Sequence, residues 1–297
     1  MKRSKYTRRE FLKNSAGAAA AGALYLNLPD SVFGGTEAKT KVVLVRHKDV
    51  IDAMNKPDPK IVTQMLDDAV CKLMDVPAPD QAWKKIVKPA DTVGIKSNEV
   101  RYLPTPQAVE EAIRSGVLSA GVAKDRIGIN DRGVRRDPLF SKATALINVR
   151  PLRTHHWSGV GSLLKNYIMF VKKPYEYHPD TCADLAAIWK LPEVAGKTRL
   201  NVLVLFAPLF HGIGPHHFNP KYTWQYKGLL VGTDPVAVDS VGVRILSAKR
   251  NAYFGEDRPL TPPPKHILLA DTRHHLGTAD PGKIDLIRLG WSEDILI

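Results

Sequence analysis

Cysteine is scarce in this chain. Cys71 and Cys182 are the only two in 297 residues. Four thiolate or imidazole ligands at regular spacing are needed for a zinc or iron–sulfur framework of the CxxC kind, so that class is excluded. Cys71 sits in an amphipathic run and Cys182 near a helix start, so the expectation is two separate buried thiols rather than one disulfide. Long apolar runs are also missing: beyond the first forty residues no stretch approaches the roughly 20 predominantly apolar residues that span a bilayer. No internal repeat or low-complexity segment interrupts the body of the chain. The proline-rich Leu260-Thr261-Pro262-Pro263-Pro264 reads as a rigid surface connection, because regular patterns resume on both sides without a change of composition. Acids are outnumbered by bases, 30 to 43, which gives a net charge of +13. A balance of this size suits an anionic partner, whether small molecule, lipid surface or nucleic acid.

The N-terminus is different in kind. Lys2, Arg3, Lys5, Arg8, Arg9 and Lys13 form a basic segment, and an uncharged Ala/Gly-rich run from Ala16 to Leu28 follows. The stretch Thr7–Lys13 (TRREFLK) resembles the twin-arginine export signal, a receptor-read address rather than a fold. This resemblance implies passage through the Tat translocase to a periplasmic or other extracytoplasmic location. Thr36-Glu37-Ala38 and Val32-Phe33-Gly34 are the tolerable cleavage sites. Residues 1–38 are thus assigned to the signal and 39–297 to one α/β domain. Losing the signal removes six bases and three acids, so the mature charge stays at +10 and basicity belongs to the domain. Export argues against nucleic acid as the partner, and no transmembrane helix is expected in the mature chain.

In the body, β-branched runs alternate with helical periodicity, the pattern of a mainly parallel sheet covered by helices on both faces. Strands are expected at Lys41–Arg46, Thr92–Ile95, Arg126–Asn130, Ala145–Val149, Leu200–Phe206, Leu229–Gly232 and Ile284–Leu289. Helices are expected at Ile61–Met74, Thr105–Ala120, Thr181–Leu191 and Asp234–Ala248.

Ligands of open parallel sheets gather beyond the carboxyl ends of the strands, so the residues there are the candidates. They are Lys96 and Asn98, then Asp131, then Asn148, Arg150, Arg153, His155 and His156, and finally His211. The segment Pro151–Asn166 is the richest. Its Ser158-Gly159-Val160-Gly161-Ser162 is expected to open a helix whose amides, at Gly159 and Gly161, face an anion, with Lys165 and Asn166 one to two turns on. His155 or His156 would serve as general acid/base and Lys165, Lys96 and Arg150 would hold negative charge. Asp239, inside an apolar helical run, is expected to be buried and either paired with a basic or hydrogen-bonding group or part of the site. His216 and His217 follow a Gly-Ile-Gly-Pro turn, and His274 and His275 read as surface residues.

Several motifs occur in order: Val93–Asn98, Thr105-Pro106, Ala145–Val149 with the histidines, Leu164-Lys165-Asn166, and Gly232–Asp239. Together they are similar to a bacterial and archaeal family called domain of unknown function 362, over roughly Thr92 to Gly290. Some relatives carry ferredoxin-type cysteine clusters, and this chain has none. A fainter likeness, of His155, Ser158–Gly161, Lys165 and His178, is to nickel-dependent lactate racemase and admits a metal-containing cofactor. The expectation is an anionic small molecule or cofactor bound in a His/Lys/Arg-lined cleft, either by an enzyme using histidine acid/base chemistry or by a non-enzymatic envelope binding or cofactor-maturation protein.

Overall fold

The computed structural model describes residues 38–214 and 217–297. The twin-arginine segment and His216 lie outside the described residues. Lys39–Ile297 form one compact unit.

Eight strands build one sheet: β1 (Thr40–Arg46), β2 (Val93–Lys96), β3 (Ile127–Asn130), β4 (Ala145–His155), β5 (Gly159–Gly161), β6 (Thr198–Leu209), β7 (Gly228–Gly232) and β8 (Ile284–Gly290). Their order is β3-β2-β4-β6-β7-β1-β8, with β5 paired to β4. β3, β2, β4 and β6 run parallel, as do β1 and β8. β7 is antiparallel to both β6 and β1, and β5 to β4. The mainly parallel α/β reading therefore holds.

Alternation within the strands divides the core. Val43, Val45, Ile95, Ile147, Val202 and Val231 face α1 (Pro59–Met74), α2 (Pro79–Ile86) and α3 (Gln107–Ser119). Val42, Leu44, Leu146, Leu203 and Leu230 face α4 (Pro235–Phe254) and α5 (Lys265–Thr272). This is the period of two that a pleated strand imposes. Helix ends follow local chemistry. Asp58 accepts from the amides of Lys60 and Ile61 at the start of α1, and Asp234 accepts from Val236 and Ala237 at the start of α4. Gly255 stops α4 at φ 71°, a left-handed conformation that glycine adopts without penalty.

The chain leaves β2 through α3 toward β3 on one side, and leaves β4 toward β6 on the other. The carboxyl ends of β2 and β4 therefore form a topological switch point, where open α/β sheets leave a crevice.

Four expectations need correction. β4 does not end at Val149 but continues through the polar residues to His155, all of them buried. The glycines of Ser158–Ser162 do not open a helix. They form β5, and a helical turn of only four residues, Leu163–Asn166, follows. Thr181–Leu191 is not one helix, because Asp180 and Thr181 take left-handed backbone angles and a 3₁₀ segment, Leu185–Lys190, succeeds them. Both cysteines are free, but only Cys182 is buried and Cys71 is half-buried. No helix among the described residues is long and apolar enough to cross a membrane.

Candidate functional site

Four cations are buried at the switch point: Lys96 on β2, Arg150 and Arg153 on β4, and Lys165 on the turn after β5, none more than 4% exposed. Strict alternation would send Arg150 and Arg153 to opposite faces of β4. A register irregularity between Pro151 and Arg153 breaks the alternation, and both line one cavity of about 280 Å³. Asn98, Asp131, His155, Lys165, Asn166 and His178 line it too, with Val100, Ile168 and Met169 as its apolar wall. A larger depression beside Cys71, of about 630 Å³, is lined by Asp68, Lys72 and Asp75 and contains no buried charge.

A hydrogen-bonded layer supports the cavity from below. Lys96 Nζ donates to Asp131 Oδ1 at 2.5 Å and to the Ser97 carbonyl at 2.6 Å. The second oxygen of Asp131 accepts from the Glu99 amide at 2.8 Å. Asn166 Nδ2 donates to Asn148 Oδ1 at 2.8 Å and to the carbonyls of Lys96 and Val149. This pins the Lys165 turn onto β2 and β4. Asn148 in turn donates to the Leu163 carbonyl and to Asn201. Burial pushes the Lys96 pKa down to about 8 against the pull of Asp131. Burial raises the Asp131 carboxyl, but the Lys96 charge and the Glu99 amide outweigh it and leave it below its ordinary value.

The turn is held from the other side by Asp239, which is wholly buried. Its oxygens accept from Ser162 Oγ at 2.7 Å and from the amides of Leu163 and Leu164 at 2.9 Å. These are the amides that an anion at a helix start would have taken. Burial pushes the Asp239 pKa up to about 6. Asp239 thus clamps the turn and does not line the cavity. Gly161 serves by lacking a side chain, since a Cβ there would come 2.9 Å from an Arg150 terminal nitrogen. Gly159 fits against the Pro262 carbonyl, 2.2 Å from an ideal Cβ, and does not line the cavity either.

The arginines stand out by their missing partners. Arg153 Nη2 donates to Asn98 Oδ1 at 3.0 Å, while its Nε and Nη1 are buried and without a partner among the described residues. Arg150 Nη1 donates to the Ser162 carbonyl at 3.3 Å, and its Nε is likewise orphaned. Arg250 and Arg46, away from the cavity, look different. Arg250 donates to the carbonyls of Arg258, Phe210 and Pro259 and contacts His211 Nδ1. Arg46 donates to two carbonyls and lies over the rings of Tyr226 and Trp291. Burial pushes Arg150 down to about 10 and Arg153 well below its ordinary value, with Arg150 adding to the latter.

His155 is held far below the usual imidazole range by burial and then by the charges of Lys165 and Arg150. Its Nδ1 accepts from the Trp157 amide at 3.2 Å, so the neutral ring carries its hydrogen on Nε2. Such a ring accepts a proton only after an anion offsets the surrounding charge, and it has none to give at neutral pH. His156 stacks on His155, meets Trp157 in a tilted contact and does not line the cavity. His178 does, with Trp157 stacked on it at 3.8 Å. His211 belongs to the Arg250 cluster, and His274 pairs with Asp184. Among the described residues no group of three or more His, Cys, Asp or Glu is placed to hold a metal ion.

Comparison with known proteins adds one finding. Residues 134–244 match the family model described as Domain of unknown function (DUF362). The matched stretch is narrower than the Thr92–Gly290 span of the sequence motifs. It contains Arg150, Arg153, His155, Lys165, Asn166 and Asp239, and leaves Lys96, Asn98 and Asp131 outside. No curated protein and no solved structure matches the chain.

Cys182, beside this cavity, is not among the candidates the sequence offers, and His178 enters there only through the racemase likeness. Arg153 stands among the polar residues after Ile147 that the sequence offers as candidates, and the structure brings it to the cavity beside Arg150. Cys182, whose Sγ lies 3.4 Å from Lys165 Nζ, carried no signal beyond its rarity.

Proposed function

We propose that the switch-point cavity binds a small organic anion. The observation that carries this reading is the pair of buried arginines with three orphaned donor nitrogens, because each unpaired buried donor costs about 1–3 kcal/mol and more when charged. Four cations surround or underlie a cavity with only Asp131 and Asp239 as buried acids among the described residues, so an entering anion gains both hydrogen bonds and charge neutralisation. Planar guanidinium groups fit a carboxylate or phosphate through two parallel bonds. Calorimetric titration with oxalate, sulfate and phosphate tests the proposal. Arg153→Gln is expected to weaken binding by about tenfold to a hundredfold, the value of one or two charge-assisted hydrogen bonds. Unchanged affinity in Arg153→Gln and Arg150→Gln would refute it.

We also propose that the chain is exported by the twin-arginine route and binds its anion outside the cytoplasm. The support is the Thr7–Lys13 sequence followed by a short uncharged run. Replacing Arg8 and Arg9 together by lysine is expected to keep the folded protein inside, and unaltered export would end that claim.

A further inference from the structure

We propose that Lys165 is a Schiff-base nucleophile toward small 2-oxo acids, a reading that rests on the anion-binding cavity above. The two buried lysines of the site differ in company. Lys96 is paired to Asp131 and bonded to the Ser97 carbonyl. Lys165 lines the cavity, is 3% exposed, forms no ion pair among the described residues, and has Cys182 Sγ as its hydrogen-bond partner at 3.4 Å. An ammonium placed there has no counter-charge to hold it, and Arg150 and Arg153 repel it. Burial, reinforced by those arginines against the opposing pull of Cys182, brings its pKa down to about 8. Cys182 itself is kept as a thiol by burial. A lysine in this state presents an amine lone pair near neutral pH, which is how catalytic lysines become nucleophiles.

The neighbouring groups define the electrophile. Arg153 lines the cavity that holds the amine, and its two donor nitrogens without a partner are the groups to which the proposal assigns a carboxylate. A molecule whose carbonyl adjoins its carboxylate is the shortest that engages both. The cavity volume of about 280 Å³ lies at the small end of ligand pockets, and Val100, Ile168 and Met169 leave an apolar wall for a short side chain. In the reaction the Lys165 nitrogen bonds the carbonyl carbon and the carbon–oxygen π pair moves to oxygen. Both amine protons then leave with that oxygen as one water molecule, and the nitrogen lone pair closes the imine. Atoms balance and no oxidant or reductant is required.

The test treats the full chain with glyoxylate and cyanoborohydride, which reduces the imine to a stable carboxymethyl-lysine, and maps the modified peptide by mass. Lys165 is expected to be labelled ahead of exposed lysines such as Lys172 and Lys190, and oxalate, which binds but offers no such carbonyl, is expected to suppress that labelling. Lys165→Arg is expected to show no label at that position, while Lys172 is labelled as in the parent chain. If oxalate binds calorimetrically and Lys165 is labelled no faster than Lys172, the nucleophile is overturned while the anion cavity stands. Labelling of Lys165 that oxalate does not slow would overturn the carboxylate anchor, and with it the choice of 2-oxo acids. Failure of oxalate and the other anions to bind at all would overturn the reading on which the proposal rests.

Discussion

Replacing Arg153 by methionine is expected to stabilise the ligand-free protein, the opposite of what removing a buried, bonded side chain normally does. Arg153 is 1% exposed and has one hydrogen bond, to Asn98. Withdrawing a guanidinium from water costs several kcal/mol even after relaxation. The Asn98 bond returns about 1.5–3 kcal/mol, and the nearby Arg150 charge works against it. Methionine keeps the unbranched apolar stem and fills irregular space, while the freed Asn98 oxygen lines the cavity and is open to hydration. The expected net gain is about 1–2 kcal/mol, or a rise in Tm of roughly 2–8 °C for a domain of this size. Arg250→Met is the control: it removes three bonds to carbonyls and is expected to lower Tm. Differential scanning calorimetry without added anions reads both. A loss of stability in Arg153→Met equal to that in Arg250→Met would show that Arg153 is an ordinary structural arginine and that its orphaned donors are satisfied by other means. The reasoning would then fail.

Asp239→Ala is expected to cost about 3–5 kcal/mol in urea unfolding, because the Leu163 and Leu164 amides and the Ser162 hydroxyl lose their buried acceptor; a change below 1 kcal/mol would remove the clamp from this account. Stability is expected to rise with pH between about 8 and 10.5, since the unfolded chain holds protons on Lys96 and Lys165 that the fold has already released. Lys165→Met should remove only the Lys165 share of that rise and leave the Lys96 share, and denaturant midpoints at the two ends of the window measure it. Asp239 acts with the opposite sign in acid. Its raised pKa makes the fold bind the extra proton, so its contribution falls as pH climbs from about 3.8 to about 6.

Much of this was legible in the sequence where hydrophobic pattern and strand position agree. The strands around Val42–Val45, Ile95 and Val202–Leu205 are apolar runs buried on both faces, and polar groups at their carboxyl ends led directly to Lys96, Asp131, Arg150 and Lys165. What escaped was set by tertiary context. Polar residues from Arg150 to His155 look like a loop, yet they remain in a strand because the cavity and the β5 pairing satisfy or surround them. Gly159 and Gly161 look like an anion loop, but their missing side chains admit the Pro262 carbonyl and the Arg150 guanidinium instead. The antiparallel placement of β7 leaves no mark in Gly228–Gly232, since a short buried strand reads the same in either direction.

The central claim is that an anion sits among Arg150, Arg153 and Lys165. Anomalous diffraction from crystals of the full chain, grown without multivalent anions and soaked briefly in dilute selenate, tests it most directly. The account predicts a selenium peak in the cavity beside the Arg150 and Arg153 guanidinium groups, lost in Arg153→Gln. Selenium found only at exposed lysines, with water alone in the cavity, would contradict it.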